Sequence, residues 1–286
     1  MTAESSQTAG VLSVLNLLLS VAAAASLQTA VPDEIVVVGR KALDQAKALK
    51  AVNAVSSSSD LQMARYHEPV CPLVTGLPKE AGDLVQGQIG EVAVKVGAKV
   101  AGPGCTPNLI FMVAGDGQAL FADIRRNRTE WLNGLSHRDI EAIGKAKGPV
   151  RAWSVTSVRN EDNMVVTPSK DGSAPATLRV QSASILRQPT RQQLDGSVII
   201  VDRGALNGRT LGEIAQYATM RGLAMTKPPQ GDEVGTVLRT FDSVSAPRSM
   251  TPFDLAYLTA LYAGDGRDTG VQERSRMAKV IAQTGR

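Results

Sequence analysis

The chain has 286 residues, which is enough for one large domain or two small ones. Its hydrophobic content of 43% and its mean hydropathy of −0.05 are typical of a protein with a buried core. Aromatic residues make up only 3%, so Leu, Val, Ile and Ala must fill that core. The net charge of +4 comes from 31 basic and 27 acidic residues that are dispersed along the chain, and this pattern argues against a nucleic-acid partner.

The N-terminal segment 11–26 reads VLSVLNLLLSVAAAAS and is apolar throughout. It is shorter than the ~20 residues that a membrane span needs, but it matches the apolar region of an export signal. Ala23-Ala24-Ala25 offers a small-residue cleavage site, so residues 1–25 are a predicted signal peptide. The preceding residues contain Glu4 and no Lys or Arg, which leaves an uncleaved anchor or a misassigned start codon open. We therefore expect a periplasmic or secreted protein that touches a membrane only through this segment, if the segment is uncleaved.

Residues 26–65 are predicted to be peripheral to the main domain. Glu34–Gly39 (EIVVVG) is typical of a short strand, and Lys41–Val55 has helical composition. The Ser-rich stretch 56–60 then predicts a polar linker. We expect a single domain from residue 66 to residue 286.

Strands and helices alternate in the first half of that domain. Cys71–Leu77 is a short β-run, and a helix follows from Pro78, which is tolerated at a helix start. Asn108–Ala114 (NLIFMVA) is almost continuously apolar, as expected of a strand that is buried on both faces. Two helices are predicted next, one through 119–132 and one over Ser136–Lys147.

The second half predicts more strands and then only helices. Val150–Val158, Met164–Thr167 and Thr177–Leu186 are β-branched runs separated by polar turns, a pattern that indicates an antiparallel meander. Ser197–Asp202 (SVIIVD) adds one buried strand. Helices are predicted over 210–224, Thr251–Ala263 and Thr269–Gln283. The order predicts an α+β fold with a mixed or antiparallel sheet and a helical C-terminal part.

Two cysteines, Cys71 and Cys105, are the only ones in the chain. In an oxidising compartment a lone pair is most simply one disulfide, although two buried free thiols remain an alternative. There is no CxxC motif, and His67 and His137 are the only histidines. The sequence therefore predicts no metal site and no cofactor.

Common catalytic motifs are missing from the sequence: there is no GxSxG, no Ser-x-x-Lys pair, no GxxxxGK[ST] and no GxGxxG. Two weak catalytic candidates remain. His67 stands next to Glu68, but neighbours on an extended segment point to opposite sides. Glu213 stands three residues after Thr210, the spacing of a capping box, which accounts for it without catalysis.

The segment Ala215–Leu223 (AQYATMRGL) resembles the HExxHxxGL helix of zincin metallopeptidases. In that motif two imidazoles one turn apart bind zinc, and the Glu is the general base. The resemblance places the first His at Ala215, the Glu at Gln216 and the second His at Thr219, and it places a third ligand at Met225. None of these side chains binds zinc as the family does, so the motif is degenerate.

Other segments resemble an uncharacterised family of exported, zincin-like bacterial proteins. They are residues 71–78 (CPLVTGLP), 105–117 (CTPNLIFMVAGDG), 236–241 (TVLRTF) and 250–262 (MTPFDLAYLTALY), so the resemblance spans about residues 66–265. The resemblance implies a zincin-like fold without peptidase activity. In such a protein the cleft that forms the active site of zincin peptidases would bind an envelope protein or a peptide. In such a cleft, Ala215 and Thr219 would lie under an edge strand, whereas in an ordinary core helix they would face the packed interior.

Two alternatives to this reading stay open. One is a hydrolase with an unrecognised site, such as His67 with Asp116 or Glu213. The other is a structural protein of the bacterial envelope that has no small-molecule site.

Overall fold

A four-stranded mixed sheet lies at the centre of the fold. The computed structural model describes residues 44–57, 62–165, 177–181, 187–231, 234–243 and 245–284. Within these ranges the strands are β1 (Pro72–Thr75), β2 (Leu109–Ala114), β3 (Val150–Asn160) and β4 (Thr190–Asp202). Their order is β1-β2-β4-β3, in which β1, β2 and β4 are parallel and β3 is antiparallel to β4. The expected mixed sheet is therefore confirmed, with β1 and β3 at its two edges.

Seven α-helices accompany the sheet in the described part of the chain. They are α1 (Gln45–Val55), α2 (Lys79–Lys95), α3 (Gly117–Asn127), α4 (His137–Gly144), α5 (Leu211–Gly222), α6 (Pro252–Ala263) and α7 (Gly270–Thr284). Short 3-10 helices cover Thr129–Leu132, Arg203–Leu206 and Val237–Arg239. None of the helices in these ranges is both long and apolar enough to cross a membrane.

The central strands bury both faces because their residues alternate between two cores. On β2, Leu109, Phe111 and Val113 belong to a large core with α1, α2, α5, α6 and α7. Ile110 and Met112 face a smaller core, to which α3 contributes Phe121 and Ile124 and α4 contributes partly buried side chains. Such two-sided burial explains why Asn108–Ala114 is almost uninterruptedly apolar. The helices thus divide into two layers, with α2 and α5 on one face and α3 and α4 on the other.

Of the predicted antiparallel meander, only the first run lies wholly within the described residues. β3 pairs directly with β4 over its whole length, and β4 begins at Thr190, earlier than predicted. In the described half of the predicted return strand Met164–Thr167, Val165 forms an isolated antiparallel bridge with Arg159. Most of the third predicted run, Thr177–Leu186, and residues 166–176 lie outside the described residues. Alternation of β-branched residues marked β3 correctly but did not identify its partner.

Helix α1, which was predicted to lie in a peripheral segment, is packed into the core. The predicted helix in Lys41–Val55 is present as α1, but Ala48, Val52 and Val55 are fully buried and α1 packs against α7. This part of the predicted peripheral segment therefore belongs to the compact body. The predicted signal peptide, the predicted strand Glu34–Gly39 and most of the Ser-rich linker lie outside the described residues.

A buried ion pair joins the chain before β1 to the C-terminal helix. The Nη2 of Arg65 lies 2.5 Å from Oε1 of Glu273, and both side chains are 2% exposed. Arg276 also donates to Glu273, at 2.7 Å. Burial raises the pKa of Glu273, but Arg276 and Arg65 together hold it below its ordinary value. The carboxylate therefore stays ionised in the interior and ties α7 to the rest of the fold.

Candidate functional site

Part of the outer edge of β3, at Ala152, Trp153 and Ser154, lies in a groove. β3 is an edge strand, and within the described ranges only the isolated bridge at Arg159 lies on its outer side. In an antiparallel edge strand, alternate backbone N–H and C=O groups point outward and remain available for pairing. The groove along this edge has a volume of about 410 Å³.

Side chains from both faces of the sheet form the walls of the groove. On the face of the large core, the wall is formed by Ser57, Ala152, Ser154, Arg221, Met225 and Thr226. On the face of the small core, it is formed by Leu135, Asp139, Ala142, Ile143 and Trp153. Gln192 also contributes to the lining. Apolar groups thus stand on both sides of an unpaired strand edge.

Helix α5 reaches the groove with its last turn. Thr210 caps the helix, and the Thr210 N–H donates to Glu213 at 2.7 Å while the Glu213 N–H donates to the Thr210 hydroxyl at 3.2 Å. The predicted capping box is therefore confirmed. The helix ends at Gly222, and Arg221 from its last turn and Met225 just beyond it line the groove.

Close packing positions α5 on the sheet. Gly222 does not have the left-handed backbone of a helix-ending glycine. A Cβ added at Gly222 would lie only 2.7 Å from the side chain of Leu109 on β2. A glycine near a helix end is often there to end the helix. Gly222 instead allows α5 to pack closely against β2.

The four positions of the degenerate motif lie in different surroundings. Ala215 and Thr219 are fully buried in the large core, and the Thr219 hydroxyl donates to the Ala215 carbonyl at 2.7 Å. Gln216 is half-buried and accepts a hydrogen bond from the Met250 N–H. Met225 alone of the four lines the groove. The face of α5 that carries Ala215 and Thr219 packs inward, which is the arrangement expected of an ordinary core helix and not of a cleft under an edge strand. The helix meets the groove only through its C-terminal end.

The segments that carried the family resemblance contact one another. The Thr236 hydroxyl donates to Asp254 of α6 at 2.5 Å, and the Val237 N–H donates to the same carboxylate at 3.1 Å. The ring of Phe241 packs edge-on against Tyr217 of α5, with centroids 4.7 Å apart. α5, the 236–241 turn and α6 therefore form one packed unit.

Arg221 is a basic residue that lines the groove at the end of α5. Its Nε is buried and has no hydrogen-bond partner. Burial raises the pKa of the neighbouring Tyr217 to about 12, although the charge of Arg221 opposes the shift. Tyr217 is therefore neutral at physiological pH. The Arg221 guanidinium lies at this end of the groove, and the Asp242 carboxyl group is near enough to act on both Tyr217 and Arg221.

The structure separates the residues of the alternative hydrolase site. His67 precedes β1 and lies beside Arg191 near the start of β4, whereas Asp116 follows the end of β2. Because β1, β2 and β4 are parallel, His67 lies at the amino ends of these strands and Asp116 lies at their carboxyl ends. Glu213 is 2% exposed, and the hydrogen bond from the Thr210 N–H is the main reason that its pKa lies below the ordinary range. A carboxylate held in this way is poorly suited to accept a proton near neutral pH.

The sequence reasoning missed the groove itself. Leu135, Ala142 and Ile143 come from the α4 region, and Ser57 follows α1, so the groove residues are scattered along the chain. Only the alternation that marks β3 could have signalled it, and only if the edge position of that strand were known. In the described part of the chain, no three His, Cys, Asp or Glu side chains are close enough to hold a metal ion.

Comparisons of the chain with protein-family models, with curated proteins and with solved structures find no match.

Proposed function

We propose that this is an exported, non-catalytic, zincin-like protein that binds an extended peptide segment along the free edge of β3. The observation that carries the proposal is the unpaired strand edge lying inside a groove with apolar walls on both sides. A peptide added there would satisfy the outward N–H and C=O groups of β3 and place its side chains alternately against the two walls.

The composition of the groove favours a peptide over a compact small molecule. Ile143 and Met225 offer apolar contacts on opposite walls, and the main chain of β3 between them supplies the polar contacts. Strand addition draws most of its affinity from such main-chain bonds and its specificity from alternate side-chain pockets. Arg221 would favour an acidic side chain at the position beside it.

The lack of catalysis is proposed from the chemistry of α5. Ala215, Gln216 and Thr219 stand where the zincin motif has two zinc-binding histidines and a general base. Glu213, the carboxylate nearest to them in sequence, is bound within its capping box. The zincin-like part of the proposal rests on the sequence resemblance of α5, the 236–241 turn and α6.

Export is proposed from two features. Segment 11–26 matches the apolar part of a signal, and Cys71 and Cys105 form a disulfide, a bond favoured outside the reducing cytosol. N-terminal sequencing of the protein purified from its native cells should find a chain that begins near Ser26, in the periplasm or the medium. A cytosolic chain that retains Met1 would contradict the proposal.

The peptide proposal is tested by panning a displayed library of random peptides against the purified protein. Enriched peptides should bind the wild type and lose at least tenfold in affinity for Ala142→Arg, because Ala142 is exposed on the groove wall and the longer side chain would obstruct it. Ala122→Arg is the matched control, since Ala122 is exposed on the neighbouring helix α3 and lies outside the groove.

N-methylation along an enriched peptide provides the sharper readout. Strand addition predicts that binding falls at every second residue, because alternate N–H groups face β3. Failure to enrich any peptide, or equal binding by the two Arg variants, would overturn the groove as the binding site. A loss without the two-residue period would show that the peptide does not bind as a strand.

A further inference from the structure

A buried arginine with two nitrogens that lack a hydrogen-bond partner lies on the other side of the sheet from α5. Arg151 is the second residue of β3, pairs with Ile200 and is only 5% exposed. Its Nε and Nη1 are buried and have no hydrogen-bond partner. A buried guanidinium is costly unless its charge and its N–H groups are matched, so a partner is expected at this place.

The guanidinium of Arg151 faces the beginning of α3. A Cβ placed on Gly117, the first residue of α3, would lie 3.4 Å from Nη1 of Arg151. The first turn of a helix presents free N–H groups and the positive end of the helix dipole, and α3 is 11 residues long. The Arg151 guanidinium and the first turn of α3 therefore lie next to each other.

Arg151 and the start of α3 lie at the carboxyl ends of the parallel strands, where open α/β sheets commonly form a crevice. β2 and β4 are neighbouring parallel strands that end beside Arg151, and the helices that follow them lie on opposite faces of the sheet, α3 in the small core and α5 in the large one. Diverging connections after adjacent parallel strands leave an opening beyond their carboxyl ends, where ligands of such sheets bind.

Two carboxylates restrict the charge of the ligand. Oδ1 of Asp202 accepts the Gly117 N–H at 2.7 Å, and Oδ1 of Asp116 accepts the Ala119 N–H at 2.9 Å. The Gln118 N–H, between them, has no partner among the described residues. Both carboxylates oppose any added negative charge and Arg151 attracts it, so a monoanion is much less disfavoured here than a dianion.

We propose that Arg151 and the first turn of α3 bind the carboxylate group of a small organic acid. Arg151 would donate through its unpaired N–H groups, and the Gln118 N–H would supply a further bond. Arg151 is not part of the groove beside β3, so this site is separate from the proposed peptide site.

The test measures the melting temperature in sodium acetate against sodium chloride at equal ionic strength. Because a ligand that binds only the folded state stabilises it, acetate should raise the melting temperature by roughly 2–4 °C. Arg151→Met should abolish this rise. Arg203→Met, which changes an exposed arginine just after β4, should retain it.

A folding defect and a binding defect are distinguishable in Arg151→Met. Removing an unpaired buried charge should leave the melting temperature in chloride at or above that of the wild type, because the desolvation cost disappears. If Arg151→Met does not fold, saturation-transfer NMR of acetate on the wild type and on Arg203→Met decides, and a signal is expected from both. No advantage of acetate over chloride, a rise of equal size in Arg151→Met, or a rise with inorganic phosphate that depends more strongly on Arg151 would each overturn the proposal.

Discussion

Single buried polar residues in this protein differ in whether the fold supplies their partners. Asp254 accepts hydrogen bonds from Thr236, Val237 and Thr251, and Glu273 is paired with two arginines. His67 is different, because its Nε2 is buried without a partner next to Gly266. Burial, reinforced by the charge of Arg191, lowers the pKa of His67 to about 4. Its imidazole is therefore neutral at physiological pH and is charged in the unfolded chain below about pH 6.5.

This difference predicts a pH-dependent stability that depends on His67. Between pH 6.5 and pH 4 the unfolded chain binds a proton that the folded chain does not, so stability falls as pH falls through this range. The slope is at most ~1.4 kcal/mol per pH unit, and solvent screening reduces it. His67→Gln should flatten this part of the profile in urea denaturation measured at each pH.

His137→Gln serves as the control for that profile, because His137 is the only other histidine and is exposed at the start of α4. Its profile should match that of the wild type. An unchanged slope in His67→Gln would show that another group controls the acid response.

At the scale of elements, α5 shows which helix features can be read from sequence. The Thr210–Glu213 capping box was predictable because both partners lie within one turn and need no other part of the chain. The role of Gly222 was not predictable, because it depends on Leu109, which is distant in sequence and arrives on a different strand. A glycine near a helix end is compatible with both roles until the neighbouring strand is known.

Substituting the two glycines of α5 separates these effects. Gly222→Ala should destabilise the protein by ~1–3 kcal/mol, because the added methyl group would lie 2.7 Å from the Leu109 side chain. Gly212→Ala should be neutral or stabilising by up to ~1 kcal/mol, because the atoms nearest to its Cβ lie at 3.8 Å or more and alanine favours the helix. Urea denaturation gives both values, and equal effects of the two changes would contradict the close-packing role of Gly222.

At the scale of the whole molecule, the disulfide joins the segments that precede the neighbouring parallel strands β1 and β2. Cys71 stands directly before β1 and Cys105 stands shortly before β2, with a Cα–Cα distance of 6.1 Å. The bond closes a loop of 34 residues that contains β1 and α2, so the predicted disulfide is confirmed. It restrains the unfolded chain at the point where two parallel strands must meet.

Removing the disulfide should therefore lower stability substantially. Cys71→Ser with Cys105→Ser should cost roughly 3–4 kcal/mol in the loop-entropy model, seen as a lower urea midpoint. Reductant should bring the wild type to the midpoint of the double variant and leave the double variant unchanged. Alkylation of two thiols in the non-reduced, denatured wild type would show that the bond is absent from the native protein.

The sequence by itself determined the local features of this protein. The buried strands, most helix positions, the capping box of α5 and the cysteine pair depend on residue spacing or on composition, and short stretches contain that information. The edge position of β3, the groove beside it, the inward packing of Ala215 and the unpaired Arg151 were decided only by the tertiary structure. Each of these depends on which distant segments meet, and strand pairing leaves no local trace in the residues that pair.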